Sequence, residues 1–155
     1  MTNKILELIK IIFISFEFLY LIILVLIYQS FPDIFGSIGD KFHSNQEIWK
    51  YIPTIPSGLL IASLSYSWKI LTPLNSTSNR PLYEWPDYWK LKLRVVLSIV
   101  YCALSAISAT VIWFYGLQIQ KSQLGLIFIT TIGISIIVLL HQVLAAFVVR
   151  ELAEP

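Results

Sequence analysis

Cysteine is almost missing from this chain of 155 residues, charge is sparse, and glycine is thin. Each shortage removes a class of protein. The lone Cys102 sits in an apolar run, so no intrachain disulfide can form and no metal-ligand spacing exists; it reads as a small packed residue. Charged residues make up 13% of the chain against about 25% in soluble domains. Such a chain cannot cover its own surface with polar groups, so lipid must be part of its solvent. The six glycines form no phosphate-cradling loop. No nucleophile with a base and no paired acid and base stand out, which argues against an enzyme, and no cofactor is expected. A net charge of +2 is too small to suggest nucleic acid, so no direct nucleic-acid partner is expected.

What the chain has in quantity is long apolar runs. The first, Ile11 to Tyr28, is interrupted only by Ser15 and Glu17 and nearly crosses a hydrocarbon core of about 30 Å at about 1.5 Å per residue. It is too long for a signal-peptide core, Glu7 spoils the basic flank, and no small-x-small cleavage pattern follows, so it reads as a retained helix. The second span starts near Pro53 and Pro56 and ends before Pro73; Lys69 and the Ser63, Ser65, Ser67 series lower its hydrophobicity. The third and fourth spans are joined by QIQKSQ, short enough to make them antiparallel neighbours. The expected fold is all-α, a single transmembrane domain over 1–155 with helices at about 11–31, 56–74, 93–117 and 124–149.

Orientation follows from the eleven Lys and Arg, because basic segments tend to stay in the cytoplasm. With the N-terminus inside, Lys4, Lys10, Lys69, Arg80, Lys90, Lys92, Arg94 and Arg150 are cytoplasmic, while Lys41, Lys50 and Lys121 lie outside. Eight against three places both termini in the cytoplasm, with 32–52 as the outer loop and 75–92 as the cytoplasmic one. Phe35, Ile38 and Phe42 in the outer loop have helical spacing and predict a short interfacial helix, followed by an aromatic belt at Trp49 and Tyr51; His43 reads as a solvated loop residue.

The cytoplasmic loop runs into NRPLYEWPDYWKLKLR, residues 79–94. Its rings, including Tyr83, Trp85, Tyr88 and Trp89, suit the headgroup level, and Lys90, Lys92 and Arg94 meet anionic lipid at about 1 kcal/mol each. Asp87 after Pro86 is placed to cap the third helix. Anchoring explains most of the loop. Its length beyond a tight turn leaves room for a docking cytosolic partner, with Arg80 among the contacts. The sequon at Asn75 would face the cytosol and is not expected to carry glycan.

A second group of residues is polar where lipid is expected. Glu17 lies about 10 Å deeper than Lys10 by helical rise, and an ionisable group near mid-span costs roughly 2.5 to 3.5 kcal/mol on insertion scales. It should therefore face protein or water, or be protonated. Glu7, Lys10 and Glu17 would form a stripe on one face. His141, with Gln142 beside it, reaches a similar depth, measured from Arg150, and Lys69 can extend toward that level. Ser98, Tyr101, Ser105 and Ser108 are helically spaced on the third span. A polar layer from all four helices is thus expected, in which Glu17 pairs with Lys69 or His141 to hold the bundle, or lines an ion or proton path. Close helix contacts are expected at Gly58-xxx-Ala62, Cys102-xxx-Ala106, Ser105-xxx-Ala109, Gly125 and Gly133.

Three functions fit these features. One is a non-catalytic sensor or scaffold subunit that forms a homo-oligomer and recruits a cytosolic effector protein. Another is a small proton-coupled transporter using Glu17; small multidrug exporters share four helices and a carboxylate in the first, but their loops are short. The third is a holin-like pore. The layout, with SLSYSWK ending the second span, YEWPDYWKLKLR in the inner loop and HQVLAAFVVRELAEP ending the chain, resembles KwaA-type membrane subunits of the Kiwa anti-phage system and, more loosely, RexB-type exclusion proteins. That resemblance implies a homo-oligomer, a tetramer, in the bacterial inner membrane that senses phage attack and works with a cytosolic DNA-binding effector. It carries over no functional residues.

Overall fold

The computed structural model describes residues 15–73 and 83–153, and these are all-helical. Five helices follow in order: α1 (Phe16–Ser30), α2 (Pro32–Ser44), α3 (Tyr51–Leu71), α4 (Tyr88–Tyr115) and α5 (Lys121–Ala153). A 3-10 turn, Gln46–Lys50, leads into α3, and another, Gly116–Gln118, closes α4.

The first helix begins later than its apolar run suggests. Ser15 has extended backbone, and its hydroxyl accepts the Phe18 N–H at 3.2 Å, an N-cap that starts α1 at Phe16 rather than near residue 11. The expected stripe of Glu7, Lys10 and Glu17 on one continuous helix is therefore interrupted at Ser15, and Glu7 and Lys10 lie outside the described residues. At the other end, Pro32 has no N–H to offer and drives Phe31 out of the helical region (φ −140°, ψ 63°). α2 leaves α1 at 94°.

Three clusters of apolar side chains give the packing direction. Ile52, Ile112 and Leu124 meet at one end; Cys102, Ile134 and Val138 meet in the middle; Ile70, Val95 and Val149 meet at the other end. α4 is thus antiparallel to both α3 and α5, and the three form the core. α1 lies along α5 in the opposite sense, since Glu17 meets His141 and Tyr28 meets Ser122. Phe16, Tyr88 and Arg150 consequently share one end of the molecule, here termed the basic end.

The opposite end is a packed cap. α2 buries Phe35, Gly39 and Phe42, and it crosses the start of α5 at backbone contact: a methyl group at Gly39 would overlap the Lys121 carbonyl, and one at Gly125 would overlap that of Phe35. The predicted spacing of Phe35, Ile38 and Phe42 is that of this helix, but the belt differs. Trp49 turns inward, packing on Gly116 and donating its indole N–H to the Phe42 carbonyl at 2.8 Å. Tyr51 is exposed, as are Trp113, Phe114 and Tyr115 on α4. His43 sits on α2 rather than in a loop, half-buried, with Nδ1 3.0 Å from the Gly39 carbonyl.

Two helices, Tyr88–Gln118 and Lys121–Glu151 with their flanking turns, are long and apolar enough to cross a membrane, and the bent pair α1–α2 makes a third if it counts as one span. α3 is not among them. It starts five residues before the predicted 56, at Tyr51, with Pro53 in its first turn and Pro56 inside, and it ends where Pro73 forces Thr72 out of helical geometry.

Candidate functional site

Glu17 is the most buried charged side chain among the described residues, 4% exposed on a helix whose other buried residue is Leu24. Its Oε1 lies 3.1 Å from His141 Nδ1 on α5, and the Phe16 ring covers the imidazole at 5.1 Å between centroids. Of the two partners expected for Glu17, the structure brings His141. The imidazole gives the buried carboxyl a polar protein partner, which an ionisable group at this depth requires.

Next to the pair runs a chain of neutral polar groups. Gln142 Nε2 donates to Ser67 Oγ at 2.9 Å, and Ser67 Oγ donates to the Ser63 carbonyl at 2.8 Å, tying α5 to α3. Cys102 and Ser105 from α4, with Thr131 and Ser135 from α5, extend the buried layer. The hydroxyls of Ser63 and Ser135 flank the Cys102 thiol, although Ser63 Oγ forms no hydrogen bond of ordinary geometry. Ser135 donates to the Thr131 carbonyl at 2.8 Å. Ser105 is buried in the layer, but the Glu17 carboxylate meets His141 instead. Sequence reasoning misses Ser67, Ser135 and Thr131 as layer members, because a serine or threonine in an apolar run registers there only as a drop in hydrophobicity.

Lys69 does not join. The inward stripe of α3 is Ser63, Ser67 and Ile70, which turns residue 69 outward, and its ammonium lies over the Tyr66 ring at 4.8 Å. Gly58 likewise faces open space, since a methyl group added there would meet nothing within 4 Å, so Gly58-xxx-Ala62 makes no close contact within the described residues. Cys102, Ser105, Ala106 and Ala109 do face the core, and Gly133 accommodates Tyr20, whose hydroxyl donates to the Ile129 carbonyl at 3.0 Å.

No family model matches the sequence, and no curated protein or solved structure is similar to it at a significant level. The likeness to Kiwa-type subunits gains nothing from these comparisons, and the residues themselves must carry the function.

The basic aromatic segment divides in two. Arg80 lies outside the described residues. Tyr83 and Trp85 are exposed, with the Tyr83 ring edge-on to Tyr88 at 5.3 Å. α4 begins at Tyr88 rather than 93, so Tyr88, Trp89, Lys90, Lys92 and Arg94 belong to its first two turns and not to a loop. Asp87 occupies the N-cap position, but its side chain bonds no backbone N–H and instead pairs with Lys90 at 2.9 Å. Arg94 reaches toward the polar layer: it borders a small cavity shared with Ser98, His141 and Gln142.

Proposed function

We propose that the protein is a non-catalytic, four-pass subunit of the bacterial inner membrane, with both termini cytoplasmic, in which α1 is the moving part and the basic end reports its position to a cytosolic effector protein. The observation that carries this reading is how α1 is attached. Of its fifteen residues only Glu17 and Leu24 are buried, while Leu19, Ile22, Ile23, Val25, Leu26 and Ile27 are exposed. In lipid such residues gain little by docking, because acyl chains are as apolar as they are. α1 is therefore held chiefly by Glu17–His141, Tyr20–Ile129 and Tyr28–Ser122. An attachment resting on a few polar contacts is one that a membrane event can break.

Two further points support four spans. The hydropathy of α3 is depressed in part by Ser63 and Ser67, which point into the core, while Ile61, Leu64 and Trp68 point outward. A helix packed lengthwise between α4 and α5 also shares their depth. The outward faces of α1 and α3 are compatible with a homo-oligomer, and the layout resemblance favours a tetramer and a role in anti-phage defence. A second reading, a small proton-coupled transporter, is favoured specifically by the Glu17–His141 pair. Glu17→Gln separates the two: a sensor keeps co-purification with its soluble partner at a shifted level and carries no proton flux in proteoliposomes with or without the mutation. A transporter loses substrate-dependent flux. Reporter fusions that put residue 85 outside the cytoplasm would refute both topologies.

A further inference from the structure

His141 stands between two spaces. On the α1 side is an open groove of about 310 Å³ walled by Phe16, Leu19, Tyr20, Ile23, Ile137 and Leu140. On the α4 side is a cavity of about 40 Å³ bounded by Arg94, Val95, Ser98, Gln142 and Ala145. Gln142 is 2% exposed; its amide nitrogen is committed to Ser67, and its Oε1 has no hydrogen-bond partner among the described residues. A buried carbonyl oxygen left without a donor costs about 1 to 3 kcal/mol. Water is stable in a buried space of at least about 10 to 15 Å³ that offers it two to four polar partners. This cavity exceeds that size, and Gln142, Ser98, His141 and Arg94 are the polar residues on its border, beside the apolar Ile70 and Leu91.

We propose that the cavity between α4 and α5 is a hydrated site that gives the His141 imidazole access to the aqueous phase at the basic end, while the groove on the other face stays dry. Nδ1 of His141 is taken by Glu17, so water meets the remainder of the ring, and protons exchange with the buried pair through the protein rather than from lipid. Among the described residues the charged groups beside His141 are Glu17 from α1 and, across the cavity, Arg94 from α4. α3 contributes Ile70 to the cavity wall and Ser67 through Gln142, while its Lys69 points away. Arg94 at the rim opposes entry of cations and favours water itself. The inference uses the Glu17–His141 pair of the proposed function but not its signalling role.

The test is water-edited NMR on the full chain in liposomes, with isotope-labelled histidine and His43→Gln so that His141 is the sole signal. Transfer of water polarisation to the His141 ring is expected in the parent protein. Ala145→Leu, which fills the cavity, should abolish it, and Leu19→Trp, which fills the groove, should leave it intact. Ser98→Val provides a second cavity-filling variant if Ala145→Leu does not fold. A dry His141 in the parent, or loss of transfer with Leu19→Trp but not with the cavity variants, would overturn the proposal. Neither result bears on whether α1 signals to a soluble partner.

Discussion

If Glu17 and His141 fasten α1 to the core, removing both should cost less than the sum of removing each. His141→Leu leaves Glu17 buried with no counterpart. In a soluble interior that change costs about 3 to 5 kcal/mol. Here the penalty is limited because α1 can swing away and its polar groups can find other partners, so that interhelical polar contacts in membranes are worth about 0.6 kcal/mol on average and about 1.7 at most. A cost of about 1.5 kcal/mol is expected, raising the ratio of undocked to docked α1 by about tenfold. Glu17→Leu should cost about half as much, because the His141 side chain it leaves without this partner is 27% exposed rather than fully buried. The double variant replaces the pair by apolar groups and should fall near the parent, giving a coupling of about 2 kcal/mol in magnitude.

Spin labels at Ile22 and Leu144, both exposed on α1 and α5, read the docking directly as a distance distribution in liposomes, in a Cys102→Ser background. Docked α1 gives one narrow distance, and release broadens it. If the single variants add within about 0.3 to 0.5 kcal/mol, the two groups do not act as a pair and the latch is wrong. The same conclusion holds if the distribution stays narrow in all four proteins, for then apolar packing alone holds the helix.

The glycines should separate into three classes by thermal unfolding in detergent. Gly125→Ala drives a methyl into the Phe35 backbone, which cannot move aside, and should be strongly destabilising; Gly133→Ala meets the movable Tyr20 hydroxyl and should cost about the 1 kcal/mol of the Tyr20–Ile129 bond; Gly58→Ala meets nothing and should be neutral or stabilising by up to about 1 kcal/mol. Equal effects at positions 58 and 125 would contradict the crossing of α2 over α5. Asp40→Ala should change stability by only roughly 0 to 1 kcal/mol, with the difference vanishing in high salt, since the Asp40–Lys121 pair is more than half exposed on both sides.

Sequence patterns reveal elements here better than they reveal registers. The apolar runs of α4 and α5 and the spacing of Phe35, Ile38 and Phe42 identify helices because each pattern is dictated by what surrounds it. The start of α4 is harder to place from hydropathy, because charge marks the boundary of a span, whereas Pro86 and Asp87 stop and start the backbone irrespective of where lipid begins. The break at Ser15 hides inside an apolar run, although a serine followed by Glu17 is an N-cap signal that hydropathy overrides. His141 can be placed in depth by counting back from Arg150 along one helix, since helical rise is nearly constant, whereas a count from Lys10 to Glu17 crosses the break at Ser15. Lys69 cannot be placed that way. Depth is set by rise, but direction is set by which face packs, and the stripe of Ser63, Ser67 and Ile70 becomes identifiable only once α4 and α5 are in place. Trp49 escapes for the same reason: an indole beside a predicted membrane surface suits the belt, and only the closeness of Gly116 makes an inward pocket for it.

The attachment of α1 follows a single line. Glu17, Tyr20, Leu24 and Tyr28 recur at spacings of three and four along the helix, and the bonds that Glu17, Tyr20 and Tyr28 make to α5 all fall on that stripe. Around the rest of the helix the exposed side chains are mostly aliphatic, so rotation or tilting exchanges one lipid contact for another at little cost. The three bonds differ in kind. Tyr20 and Tyr28 bond through hydroxyls, while Glu17–His141 joins two ionisable groups. The contact between ionisable groups thus lies at the end of α1 nearest the basic end. Peeling from that end would leave the opposite end held by Tyr28 and by the backbone contact of α2 with α5, which makes the 94° bend at Phe31 the natural fulcrum for any motion of the helix.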